Sequence, residues 1–495
     1  MANHSFPSSR RGNANLSRGR LIDMKKELQG KTYYDPVTNP SGLIDISGAS
    51  NEGMRDFLEE FCKNKKQTPS IAEFLEYGGV TGPPELQKAV SDLINDWFHP
   101  SVPIEPENIL PTNGVSSLLD MVAFNIADAN EGVLVPTPMY SMFEQDLCSR
   151  AQLNIIPVTM SRPLDQFDAS HKKSFIEVFE RSLKSAQRSG IRVKAVLICN
   201  PCNPVGRFYS RDTLMVIASF CGKHGLHLVA DEIYALSGFE SPDGFDNFTS
   251  VLSLQNDPKQ GILIQNIHSF YGASKDWSMG GLRLGFLITR NAELWNTCRR
   301  LALFTWVTPF STSFFTDFIT DKENTKKYIA LNQTRLREKY LLTTAAMREQ
   351  KVPFHPANGG LFIWVDLSRW LGYFPGNDNI TNPGESRETQ LCRFLVERGV
   401  YMRMGELSLS SVPGHFRFVY TSPGDEGHIA VRRIRKACID LESQNSMEKY
   451  SFDSETATQS SLQEEGYESR GKETGMKALK IARQAKAHWR RFLCM

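Results

Sequence analysis

One lysine sits where covalent chemistry is possible. Lys275 lies in the run Ser269 to Gly285, just after an apolar β-like run from Gly261 to His268, and Arg283 follows eight positions later. A lysine in a small-residue loop at a strand end stands at the mouth of a sheet, where α/β proteins place ligands. There it can form a Schiff base with an aldehyde cofactor. Taken alone it is an ordinary loop lysine, so the case rests on partners elsewhere in the chain.

Those partners recur at strand ends. Asn200-Pro201-Cys202-Asn203-Pro204-Val205-Gly206 follows an apolar run ending at Ile198, and its two Asn-Pro pairs fix a tight turn that can aim an asparagine at a crevice. Asp231-Glu232-Ile233-Tyr234 follows the next run. A carboxylate buried at a strand end is costly unless something positive lies against it, and a protonated pyridine nitrogen meets that need. Gly114-Val115-Ser116 opens a helix whose free N–H groups favour a phosphate. Tyr140, after Pro136-Thr137-Pro138, offers a flat face. Together these describe a phosphorylated, cationic, aromatic aldehyde held in a cleft.

The elements that must position these residues alternate. Helical spacing covers Glu85 to Phe98, Ser116 to Ala127, Phe175 to Ser189 and Asp212 to His224. Between them lie strand-like runs at Gly132 to Val135, Leu153 to Val158, Val193 to Ile198 and His227 to Ala230. Repeated βα units with continuous apolar strands predict a mostly parallel sheet covered on both faces. Beyond Ala292 long helical patterns run to Glu349. Strands at Gly360 to Val365, Val400 to Met404 and Phe416 to Tyr420 follow, with helices over 389–398 and 427–443. This reads as a smaller α+β domain.

In this order and spacing the motifs resemble the class I/II pyridoxal-phosphate-dependent aminotransferases of fold type I. Within them the chain is most similar to the 1-aminocyclopropane-1-carboxylate synthase-like branch, over roughly Leu43 to Leu441. The resemblance implies a large domain with a mostly parallel, seven-stranded-type sheet plus a smaller α+β domain. It implies that Lys275 holds pyridoxal 5'-phosphate as an imine and shuttles the substrate's α-proton. Asp231 would pair with the ring nitrogen, Asn203 and Tyr234 would bond the phenolate oxygen, and Tyr140 would stack on the ring. Ser274, Arg283 and the Gly114-Val115-Ser116 backbone would hold the phosphate. Tyr77 would reach the phosphate of a neighbouring subunit in a homodimer with shared sites. Arg417 would grip the substrate's α-carboxylate, with Ser50 and Asn203 beside it. No metal is implied.

Two positions depart from the family pattern. The serine that commonly binds phosphate three residues before the lysine is Gly272, which leaves that contact to Ser274, Arg283 and Tyr271. The cyclopropane-forming enzymes carry a catalytic glutamate in an Ala-Glu-Asn run, and here the run is Ala49-Ser50-Asn51, with Glu52 displaced. The expected function is therefore an aminotransferase acting on an amino acid, with a place in specialised biosynthesis. A carbon–sulfur β-lyase is the alternative and a cyclopropane synthase a weaker one. The reading from outside enzymology is a dimeric scaffold.

Composition bounds the rest. The 495 residues suit two or three domains, and a net charge of +2 implies no general attraction to nucleic acid. Nine scattered cysteines without a secretory signal point to a reducing, cytoplasmic setting. Cys199 and Cys202 have C-x-x-C spacing, but no second pair accompanies them. The expected divisions are a disordered basic arm over 1–20, an N-terminal part of the small domain over 21–75, and a large cofactor-binding domain over 76–305. A small C-terminal domain over 306–445, a disordered linker over 446–475 and a basic amphipathic helix over 476–495 complete them. Contact of that last helix with a membrane is not expected.

Overall fold

A computed structural model describes residues 8–18, 28–64, 74–376 and 386–443. The described residues up to Cys438 form one compact unit, which holds all three sheets and the site. The expected linker over 446–475 and helix over 476–495 lie outside the described residues. Within the stretch read as a disordered arm, Arg10–Ala14 form a helical turn capped by the Ser9 side chain, and Arg18 Nη1 donates to the Cys148 carbonyl at 2.6 Å.

The strands in chain order begin with β1 (Ile44–Asp45). The large sheet takes β2 (Ile109–Thr112), β3 (Gly132–Thr137), β4 (Asn154–Thr159), β5 (Val193–Cys199), β6 (His227–Asp231), β7 (Ile267–Gly272) and β8 (Gly285–Thr289). The second group is β9 (Phe354–His355), β10 (Phe362–Asp366), β11 (Val400–Tyr401), β12 (Arg403–Met404) and β13 (His415–Val419).

The seven-stranded sheet runs β2-β8-β7-β6-β5-β3-β4. From β4 across to β7 every pairing is parallel, and only β8 against β7 and β2 is antiparallel. The apolar strands β3 and β7 are buried along their whole length, as a sheet covered on both faces requires. A four-stranded antiparallel sheet, β12-β13-β10-β9, forms the second layer, and β1 pairs in parallel with β11.

Local chemistry fixes the helix ends. Ser210 accepts from the Thr213 N–H and Gly225 closes the same helix, Arg211–His224, in the left-handed region. Thr308 caps Pro309–Thr320 and Asp321 caps Lys322–Glu349, so the single helical texture after Ala292 breaks into separate helices.

Two expected strands differ from the structure. The run from Gly261 to His268 is not one strand. Residues Ile264–Asn266 make a 3₁₀ turn, and β7 begins only at Ile267, extending through the aromatic Phe270 and Tyr271 to Gly272. The run Val400–Met404 divides at Met402, with β11 pairing to β1 and β12 to β13. That division turns Arg403 toward the same sheet as Arg417.

Candidate active site

The C-terminal ends of the parallel strands and the face of the small sheet enclose a cleft of about 910 Å³. Lys275, Asp231, Tyr234, Asn203, Tyr140, Val115, Ser116, Ser274, Arg283, Arg417 and Ser50 all line it. The residues singled out from the sequence thus converge from separate strand ends.

Lys275 is the third residue after β7. Its Nζ donates to the Ala49 carbonyl at 2.7 Å and lies 6.0 Å from the centre of the Tyr234 ring. Burial, reinforced by Arg417 and Arg403, lowers its amine to about 8. Such an amine gives up its proton far more readily than a surface lysine.

Asp231, the last residue of β6, and Glu232 just after it are two acids with different surroundings. Glu232 is fully buried and satisfied, accepting from Ser250 Oγ and Ser269 Oγ at 2.7 Å each and from the Val251 N–H at 2.9 Å. Asp231 is only 4 % exposed and accepts from one N–H, that of Ile233, at 3.3 Å. Burial raises its carboxyl to about 7. A buried acid with so little hydrogen bonding calls for a cation from outside the chain.

Arg417 on β13 is 1 % exposed. Its Nη1 donates to Asn203 Oδ1 at 2.9 Å, its Nη2 donates to the Ser47 carbonyl, and its Nε has no partner. Burial, with Arg403 as the next cause, lowers it to about 9. Tyr234 is fully buried against Phe362, and burial pushes its hydroxyl well up. Tyr140 lies edge-on to Phe143 and is pushed up to about 12, chiefly by burial.

The phosphate cradle is a matter of close approach. Gly114 has φ +84° and ends in the helix Val115–Ile126, whose first turn carries no side-chain cap. A Cβ on Gly114 would meet Arg283 Nη2 at 2.5 Å. Glycine therefore lets the guanidinium lie against the helix N-terminus, where an anion is favoured. Ser274 is half-buried beside them.

Some expectations are corrected. Tyr271 cannot hold a phosphate, because it is buried and its hydroxyl donates to Asp276 Oδ2 at 3.0 Å. Gly272 is not merely a missing serine. A Cβ there would meet the Leu284 carbonyl at 2.5 Å, so β7 and β8 pass too closely for a side chain. Tyr77, which was expected to act on a neighbouring subunit and not in this chain's own cleft, is 83 % exposed outside that cleft, with the Trp306 ring at 5.6 Å. Cys199 and Cys202 are both buried, and burial pushes the Cys202 thiol up to about 12, which suits packing. The Ser50 side chain is exposed on the rim, while its carbonyl accepts from Thr421 Oγ1 at 2.6 Å. Glu52 lines the same cleft, 3.5 Å from Arg55.

Other residues had escaped notice. Arg403 lines the cleft, and its one signal was a charge inside the apolar run Val400–Met404. Asp146 is a further raised acid, near 7, because of burial and the nearby Asp231, and its Oδ2 has no partner. His355, Asp366 and His415 bring ligand-type atoms within 4.8 Å of one another, a grouping that residues so far apart in sequence did not announce.

The sequence profile described as "Aminotransferase class I and II" matches residues 47–434. The chain belongs to that family. Among its relatives, the human 1-aminocyclopropane-1-carboxylate synthase-like protein 1 is 28 % identical over 430 residues, covering 85 % of this chain and 82 % of that one. The Arabidopsis thaliana 1-aminocyclopropane-1-carboxylate synthase 7 is 28 % identical over 448 residues, covering 87 % and 96 %. Of solved structures, an aspartate aminotransferase double mutant of Thermus thermophilus superposes with a TM-score of 0.67 at 18 % identity, covering 88 % of this chain and all of that one. The large mixed sheet of mostly parallel strands is the fold of these aminotransferases. Among the described residues no helix is long and apolar enough to cross a membrane.

Proposed function

We propose that this family member is a pyridoxal-phosphate-dependent aminotransferase that acts on an amino acid and works as a homodimer. The observation that carries the reading is the Asp231 carboxyl, buried with a single N–H donor, sharing a cleft with the weakened Lys275 amine. A scaffold has no need of either, and each costs stability. The residues present fit the cofactor: Asp231 for the ring cation, Gly114, Ser116, Ser274 and Arg283 for the phosphate, Tyr140 for the ring face, and Asn203 and Tyr234 for the ring's oxygen.

When bound, pyridoxal phosphate supplies an aldehyde and an electron sink. The chain's own groups do the rest. Lys275 Nζ, whose amine burial lowers to about 8, takes the substrate's α-proton and returns it. Arg417 holds the α-carboxylate with a guanidinium fork that Asn203 and the Ser47 carbonyl keep aimed. Arg403 and Arg417 of the small sheet line the cleft and are themselves buried, where charges interact more strongly than at the surface. For the dimer, exposed Leu75, Tyr77, Phe304 and Phe310 supply apolar surface that a second copy can cover.

The test is direct. Protein loaded with pyridoxal phosphate and treated with borohydride should carry the label on the Lys275 peptide, and Lys275→Ala should carry none. Amino acids should then turn over only when a keto-acid acceptor is present. Absence of label on wild type, or pyruvate release without an acceptor, overturns the reading.

A further inference from the structure

Arg403 stands in the cleft without a counter-ion. β12 and β13 pair antiparallel with Arg403 directly opposite Arg417. Residues so placed project from one face with Cβ atoms about 5 Å apart. Arg403 is 8 % exposed. Its Nη1 donates to Ser141 Oγ at 3.2 Å, and its Nε, like that of Arg417, is buried without a partner. Among the described residues no carboxylate pairs with either guanidinium. Like charges facing each other across a sheet are unfavourable, and buried unpaired ones more so.

The cleft's charges show what is left over. Four cations, Lys275, Arg283, Arg403 and Arg417, face Asp231 as the deep carboxylate at the strand ends. Glu52, Arg55, Glu59 and Lys63 lie on the exposed rim, two acids against two bases. In the aminotransferase reading, on which this inference rests, a phosphate answers Arg283, a ring cation answers Asp231 and an α-carboxylate answers Arg417. Arg403 remains, with Ser141 on its Nη1, a buried Nε without a partner and no carboxylate among the described residues paired with it. A guanidinium in that condition matches a carboxylate in two-point geometry.

We propose that Arg403 recognises a second carboxylate on the substrate, so that the preferred amino acid carries an acidic side chain.

The probe pair is succinate and butyrate, which differ by one carboxylate. Calorimetry on the full chain loaded with pyridoxal phosphate should show succinate binding at least about tenfold tighter than butyrate. Arg403→Gln should bring succinate down to the butyrate level while moving butyrate by less than about threefold, since only the added carboxylate loses its partner. Arg403→Lys, which keeps the charge, should retain part of the preference, and it serves alone if the glutamine variant does not fold by circular dichroism. In turnover, L-glutamate should outperform L-glutamine in wild type and lose that advantage in the variant. Equal affinity for the two probes in wild type overturns the proposal. So does an equal loss for both probes in Arg403→Gln, which would make Arg403 a support for Arg417 only. The binding comparison needs no turnover, so failure of the aminotransferase reading, seen as an unlabelled Lys275, is read separately.

Discussion

Arg417 Nη1 donates to Asn203 Oδ1 at 2.9 Å, which ties an arginine of the small sheet to a turn at the end of β5 in the large one. The bond crosses from the substrate side of the cleft to the cofactor side. Removing it frees the guanidinium to swing. Asn203→Ala should raise KM for the amino donor about tenfold, the worth of one hydrogen bond to a charged group. Asn203→Asp should raise KM further, because its carboxylate competes for Arg417, and it should raise the thermal midpoint at the same time. A fall in KM for the aspartate variant would contradict this.

Asp231 makes the cofactor-free protein sensitive to pH. Its carboxyl is raised to about 7 in the fold, against an ordinary value of 3.8. Between those values the folded chain holds a proton that the unfolded chain has lost. Stability from this group is therefore full at low pH and declines as pH rises toward 7, by up to about 1.4 kcal/mol per unit. Relative to wild type, Asp231→Asn should gain stability across that window and lose nearly all activity. Urea unfolding of both proteins, without cofactor, at a series of pH values from 4 to 8 reads the difference; parallel curves would refute it.

Restoring the family's serine should do harm. Gly272→Ser places a Cβ against the Leu284 carbonyl at 2.5 Å, where β7 and β8 cannot separate without breaking their ladder. The cost should be about 2 kcal/mol or more, in the range of overpacked cores. Urea midpoints measure it, and titration with pyridoxal phosphate should show no gain in affinity.

His268 should destabilise the fold in acid. It is fully buried, with His227 Nδ1 at 2.9 Å and Thr289 Oγ1 at 2.8 Å, and burial, then His227, lowers it to about 3. Below its ordinary value of 6.5 the unfolded chain binds a proton that the folded chain refuses. Stability from His268 is thus full above 6.5 and lost as pH falls, by about 1.4 kcal/mol per unit. His268→Gln should flatten the fall in thermal midpoint between pH 7 and 5; an unchanged slope would assign that fall to other groups.

Much of this was legible in the sequence because the cofactor-facing residues follow apolar runs. Periodicity located β3, β5 and β6 to within a residue or two, and the residues just after them were the ones that line the cleft. What stayed hidden depends on contacts between distant segments. The late start of β7 follows from its ladder with β6 and β8 rather than from local apolarity. The role of Gly272 needs the neighbouring strand, and Arg403 needs the break at Met402 that sends one apolar run to two sheets. The His355, Asp366 and His415 grouping arises only when β9, β10 and β13 lie side by side.

The two acids that close β6 also act as a check on assembly. Asp231 faces the cleft with one donor, while Glu232 faces the interior with three, and Glu232 continues the ladder through its N–H to the Phe270 carbonyl at 2.9 Å. A slip of β6 by one residue would exchange their faces. The shorter acid would then fall short of Ser250 and Ser269, and the longer one would enter the cleft. Strand registration and site formation thus share one error signal: a chain that pairs β6 wrongly in the core also fails to build its cation site.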